Sequence, residues 1–309
     1  MESIKRNNFI GSLEIIIAGI IWGFIGFFVK ELSSLGASSE LIAFFRVFFA
    51  FVFASIVSLL LYKPKSFLIT KEQLFWCILD GITTQGIFNI AYAMCVEKSG
   101  VAIAAVLLYT SPVFNAIISY LVFKERMGLC RTLVIIVNMI GCIVAATALD
   151  FNFQVLSIVG LLMGLLSGLT YGASPVLGKY ANKNPNVFLV IAYNELFASL
   201  FMLIFTRPFK LEQNISTKMW IYGIIYGVLI TGIAYMFYYD GVKRLSEISI
   251  IPVLASVEVV VAAVIGVMLY KEPLNIVNYI GIAIVILSIV VMSILSRNIK
   301  KAEVTNSNE

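Results

Sequence analysis

A carboxylate stranded inside an apolar run is the residue of this chain with the greatest chemical reach. Glu258 lies in the word Leu254-Ala255-Ser256-Val257-Glu258-Val259, near the middle of a run spanning about 248 to 270. In a hydrocarbon layer such a group costs about 2.5–3.5 kcal/mol on insertion scales, so it must face protein or water. It could bind the amino group of a solute or carry a coupling proton. The plainer alternative is a hydrogen bond to a neighbouring helix. Ser111 holds the equivalent place 147 positions earlier, beside Pro112 and one turn before Asn115. Proline removes a backbone donor and frees the Leu108 carbonyl, so these polar groups either satisfy the bend or form a patch that touches a solute.

A second constellation is itself duplicated. Thr84, Phe88 and Tyr92 stand four apart, and 147 positions further on stand Thr231, Tyr235 and Tyr239. Spacing of four puts each trio on one helix face, aiming a hydroxyl and two rings in one direction. Gln85 and Asn89 adjoin the first trio. Lining of a solute path explains such a face, and ring packing within a bundle is the competing account. Trp22 and Tyr171 complete the candidate binding set, Trp22 either stacking on a solute ring or simply packing. Arg46 could neutralise a solute carboxylate or staple helix ends. Asp80 and Glu195, each about two turns inside a run, are ion-pair or pathway residues. Glu258, Asp80 and Arg46 are the candidates for coupling or charge relay. Asp240 and Lys179, at run ends, are expected to be solvated.

Other chemistries are poorly supplied. Histidine is absent, which removes the commonest proton shuttle, the commonest metal ligand and every Ser-His constellation. The aspartates are Asp80, Asp150 and Asp240, far apart in sequence, and no GxxxxGK[ST] phosphate loop occurs. An enzyme, direct ATP drive, a metal site and a bound cofactor are therefore not expected. Cys77, Cys95, Cys130 and Cys142 lack metal-type spacing and are expected to be reduced and packed.

These residues must be positioned by membrane helices. Of 309 residues 61% are hydrophobic and 13% charged, with mean hydropathy +0.99, too apolar for a soluble chain of ordinary composition. Runs of about 20 apolar residues fit helical crossings, and the alternation of a barrel strand is missing. Ten spans are predicted, near 12–31, 39–62, 73–95, 101–123, 129–148, 155–178, 187–206, 217–241, 248–270 and 275–296. The first run has no evident cleavage site and reads as a retained span. The longest polar connections are Tyr62 to Glu72 and Arg207 to Lys218, so no soluble domain is inserted. Gly19, Gly23 and Gly26 share one helix, as do Gly164, Gly168 and Gly172; such small faces permit close approach or a moving gate.

The segment Ala91–Phe114 resembles Tyr238–Val261 in design, and the register continues through Lys124–Glu125 and Lys271–Glu272. The chain thus divides into an N-terminal segment (1–11), two five-helix repeats (12–148 and 149–296) and a polar tail (297–309) expected to be disordered. An odd number of crossings per repeat inverts the second relative to the first, giving an all-α integral membrane protein of ten helices. Fifteen of the 22 lysines and arginines fall on the side of the termini, six on the other, and Arg46 within a span. Both termini are accordingly predicted to be cytoplasmic, in an inner or plasma membrane. The net charge of +5 is explained by the same loops, with no nucleic-acid partner.

The chain resembles the EamA-like family of the drug/metabolite transporter superfamily. The resemblance rests on Trp22–Gly23, on Ala43-Phe44-Phe45-Arg46, on Ala91–Tyr92 and on Leu107-Leu108-Tyr109-Thr110-Ser111-Pro112-Val113-Phe114 with Lys124–Glu125. The second half repeats it in Tyr238–Tyr239, Leu254 to Val259 and Lys271–Glu272. Where the family usually has Glu-Pro, this chain has Glu258–Val259, so a bend in the ninth helix would have to come earlier, from Pro252. The resemblance implies a basket of helices around a cavity lined by the first, third, fourth, sixth, eighth and ninth. It also implies a secondary transporter, in this family an exporter of amino acids or related small metabolites, working by alternating access. The alternatives are an importer or exchanger of another small metabolite (nucleobase, sugar or amine), and a channel or membrane scaffold. Partners are then a small-molecule substrate, membrane lipid and a possible coupling proton, with monomer and dimer both open.

Overall fold

A computed structural model describes residues 2–62, 69–125, 127–149, 157–183, 186–207 and 215–297. The predicted tail beyond Arg297 lies outside the described residues. Among the described residues ten helices are long and apolar enough to cross a membrane. They are α1 (Arg6–Ser34), α2 (Ser39–Leu61), α3 (Lys71–Ser99), α4 (Val101–Phe123), α5 (Leu129–Thr147), α6 (Ile158–Ala181), α7 (Val187–Thr206), α8 (Thr217–Arg244), α9 (Ile251–Tyr270) and α10 (Ile276–Ser296). Every predicted span is present; α1 and α3 run further than expected because charged or polar residues continue the helix at its ends.

Local chemistry sets the boundaries. Ser38, Asn186 and Ser216 cap the first turns of α2, α7 and α8 by accepting the amides of Leu41, Leu189 and Met219. Thr70 and Gln73 form a reciprocal capping box at α3. Gly100, at φ +83°, lets α3 turn into α4 through a single residue. At the far ends of α4 and α9, Lys124 and Lys271 adopt left-handed backbone, φ 57° and 53°.

The repeats interlock. α1 packs on α8 and α6 on α3, two contacts related by the repeat; α2 packs on α7 and α5 on α10. Each of these interfaces joins one repeat to the other. At the α5–α10 crossing Gly281 meets the backbone of Ala145, a separation a methyl group would not fit. Outward faces remain apolar and exposed, for example Leu133 and Ile140 of α5 and Ile280, Leu287 and Ile294 of α10, as expected of surfaces that meet lipid.

The inner helices are irregular. α3 widens into π-type turns over Gly81–Ile87 and α8 over Tyr226–Ile233, at equivalent places in the two repeats. α4 is interrupted at Tyr109–Thr110 and α9 at Ser256, again equivalent positions. Pro112 accompanies the first interruption; the second arises without a proline at Val259, with Pro252 in the turn before it. The Thr110 hydroxyl donates to the Leu107 carbonyl (2.5 Å), which also accepts the Thr110 amide (3.2 Å), and the Ser256 hydroxyl donates to that of Val253 (2.7 Å), so hydroxyls add bonds to carbonyls at both interruptions. α1 breaks at Gly23–Phe24, whereas α6 is one continuous helix.

Candidate functional site

Glycine faces bring α1 and α6 against these interruptions. A Cβ on Gly19 would lie 2.6 Å from the Ala255 carbonyl oxygen, beside the break in α9. Cβ atoms on Gly168 and Gly172 would lie 2.6 Å from the carbonyls of Leu107 and Ser111, at the break in α4. Both stripes therefore serve close packing at the irregular segments, and Gly26 alone faces open space. The same contact absorbs Ser111 and Asn115. Both are buried, and the Asn115 amide donates to the Gly172 carbonyl at 2.9 Å. These two expected binding residues belong to the α4–α6 interface.

Two polar regions emerge from the remaining candidates. The first is partly exposed and combines both repeats. Tyr171 of α6 directs its hydroxyl at Glu258 of α9, 3.4 Å from each carboxylate oxygen. That is the outer edge of hydrogen bonding, so the carboxylate is loosely held. Phe88 of α3 stacks on Tyr171 with ring centroids 5.4 Å apart, and on Tyr92 at 6.1 Å. Tyr109, at the break in α4, lies within electrostatic reach of Glu258. Glu258, Phe88, Asn89, Tyr92, Tyr109 and Tyr171 are all intermediate in exposure. Among the described residues no lysine or arginine lies within 4 Å of Glu258. A loosely bonded carboxylate beside three parallel rings can receive a small cationic group with an apolar or aromatic body.

The second region is buried. Asp80 in α3 accepts from the Tyr239 hydroxyl of α8 (2.7 Å), the Asn194 amide of α7 (2.8 Å) and the Thr84 hydroxyl (3.1 Å). Gln85 hydrogen-bonds Tyr235 across the repeats. Arg46 of α2 donates to Thr231 at 3.2 Å, with Tyr226, Tyr235 and Glu195 in its electrostatic surroundings. Trp22 packs on Tyr235 and Tyr238 at 5.3 and 5.2 Å, and Tyr238 meets Ser174 at 3.2 Å.

The duplicated trios thus diverge. Thr84 is buried and donates back to Asp80, four residues earlier on the same helix, while Phe88 and Tyr92 lie on the partly exposed face. Thr231, Tyr235 and Tyr239 are all buried, as is Trp22. Asn194 and Tyr238 escaped sequence reasoning; the signal for Asn194 was its place beside Glu195 in an otherwise apolar span. Lys179 is not solvated as expected, since it donates to the Leu245 carbonyl at 2.9 Å. Cys77, Cys95 and Cys142 are buried, but Cys130 is exposed at the start of α5.

An inverted pair of five-helix repeats enclosing polar groups at mid-membrane is the architecture of secondary carriers. The chain belongs to the EamA-like transporter family, whose model matches residues 9–147 and again 158–294. The model thus matches twice, once in each half of the chain. Similar proteins include an uncharacterized transporter of Archaeoglobus fulgidus, 24% identical and covering 91% of this chain and 95% of that protein. The uncharacterized inner membrane transporter YicL of Salmonella typhimurium is 22% identical, covering 94% and 98%. A solved crystal structure shares the fold with a TM-score of 0.78 at 15% identity, covering 94% of this chain and 99% of its own.

Proposed function

We propose that the protein exports amino acids or related small metabolites by alternating access around a mid-membrane site, with both termini in the cytoplasm. The observation that carries this reading is Glu258, a partly buried carboxylate with no lysine or arginine within 4 Å among the described residues and only Arg46 in its wider electrostatic surroundings, facing Tyr171 and the Phe88–Tyr92 rings. An ammonium group would take the carboxylate and a side chain would lie along the rings. Arg46, already engaged with Thr231, serves the scaffold of the site in this reading. The excess of lysine and arginine on the side of the termini supports the orientation.

A thermal-shift screen of the purified protein against amino acids, amines, nucleobases and sugars tests the substrate class. A ligand that binds the folded protein raises its stability by RT ln(1 + [L]/Kd). Amino acids or amines should stabilise it, and Glu258→Gln should remove that shift while leaving folded protein in the membrane. Flux of the stabilising amino acid from proteoliposomes should fall to background in the same variant. Wild-type flux from Glu258→Gln would remove Glu258 from the site.

A further inference from the structure

The buried region is short of positive charge. Asp80 is fully buried, and among the described residues no lysine or arginine lies within 4 Å of it. Its three donors, on Tyr239, Asn194 and Thr84, are neutral. The Thr84 hydroxyl is also 2.9 Å from the Asp80 carbonyl, so its one hydrogen is shared. Neutral donors spread the charge of a carboxylate without cancelling it, and in a low-dielectric interior an uncancelled charge is strongly disfavoured.

The surrounding oxygens point the same way. Asn194 Oδ1, on the very amide that touches Asp80, is buried and receives no hydrogen; so are Gln85 Oε1 and Glu195 Oε2. Three buried acceptor atoms in this region thus lack a hydrogen among the described residues. A metal ion would face the hydrogens of the Tyr239 hydroxyl and the Asn194 amide, which are turned toward the carboxylate. A proton meets no such obstacle: it adds to a carboxylate oxygen and supplies a hydrogen to a neighbouring acceptor.

We propose that Asp80 is a proton-binding site separate from Glu258, and that its protonation alters the tie between the two repeats. Asp80 and Thr84 belong to the first repeat, Asn194 and Tyr239 to the second, so charge on this carboxylate acts directly on their interface. That this proton is the coupling ion of transport rests on the reading of the chain as a carrier; the proton site itself does not. The titratable groups around it are Cys77 on its own helix, Glu195 of α7, and Tyr235, Tyr238 and Tyr239 of α8, with Arg46 of α2 acting through Glu195 and Tyr235. From α6, Lys179 is engaged by Leu245 and Tyr180 stacks on Trp76.

Infrared difference spectra of the protein in lipid nanodiscs, recorded over a pH titration without substrate, test the site. A protonated-carboxyl band should appear, vanish in Asp80→Asn and persist in Glu258→Gln. Its persistence in Asp80→Asn would overturn the proposal. If that variant does not fold, protein labelled with carboxyl-13C aspartate in an Asp150→Asn, Asp240→Asn background, where Asp80 is the one labelled side chain, decides: a shifted band supports Asp80 and an unshifted one refutes it. In proteoliposomes carrying labelled phenylalanine, Asp80→Asn should retain exchange yet lose the acceleration given by a pH gradient. Wild-type flux indifferent to the gradient would overturn coupling while the spectra still judge the site. Absence of flux in every variant would instead count against the carrier reading.

Discussion

Glu125 and Glu272 are equivalent residues, each following a left-handed lysine at the end of a helix, yet they bond in opposite ways. Glu125, on the face that bears the termini, accepts the amides of Ile248 (2.9 Å) and Ser249 (3.1 Å) at the entry to α9. Beside it Arg131 pairs with Glu247 at 2.5 Å, both side chains only 16% exposed. Asn8 accepts from the amide and hydroxyl of Ser246. On the other face Glu272 pairs instead with Lys30 at 2.6 Å, both side chains about half exposed. The residues there equivalent to Ile248 and Ser249 are Val101 and Ala102, at the start of α4, where no side chain caps the helix. Equivalent parts thus make unlike contacts: buried bonds to backbone amides at one end, and at the other an exposed tie in which Lys30 also lies 3.8 Å over the Tyr270 ring and Tyr270 donates to Glu31 at 3.2 Å. In the carrier reading, duplicated and inverted halves would let the reverse arrangement have comparable energy.

The contrast can be broken from its stronger side. Glu125→Gln keeps one acceptor oxygen for two amides, and bonds to a charged group contribute about 1.5–3 kcal/mol. A Ser174→Cys reporter, buried beside Tyr238, in a Cys130→Ser background should then be modified on the order of tenfold to a hundredfold faster by a thiol reagent on the face of the termini. Arg131→Ala removes one half-buried pair and should raise the same rate roughly tenfold, corresponding to about 1.4 kcal/mol. Lys30→Gln breaks a solvent-exposed pair, which contributes about 0.2–1 kcal/mol. Its effect on the reporter should stay below about fivefold and vanish in high salt. A Lys30→Gln effect larger than that of Glu125→Gln would reverse the ranking of the two ends.

The ten spans, the repeat and its inversion were legible because hydropathy and residue spacing record them directly. The break near Pro112 was legible for the same reason, since proline announces itself. Its twin at Ser256 was less legible, because no proline stands at the break itself and only Pro252, one turn earlier, hints at it. The face shared by Thr84, Phe88 and Tyr92 was half legible: spacing of four groups Thr84 as readily with Asp80 as with Phe88, and it is with Asp80 that Thr84 bonds. Asp80 itself stood out as a charge in a span. Its partners did not, because Asn194 and Tyr239 lie 114 and 159 residues away and no local pattern encodes that meeting. Lys179 misled for a related reason, since its acceptor is a backbone carbonyl 66 residues further along the chain.

The break at Gly23–Phe24 in α1 has no twin in α6. Should the bundle exchange its open and closed ends, α1 can fold at its middle like a knee, while α6 must swing from one end like an oar. The inward and outward strokes would then follow different routes with unequal rates, so a carrier built from matching halves can still run faster one way than the other.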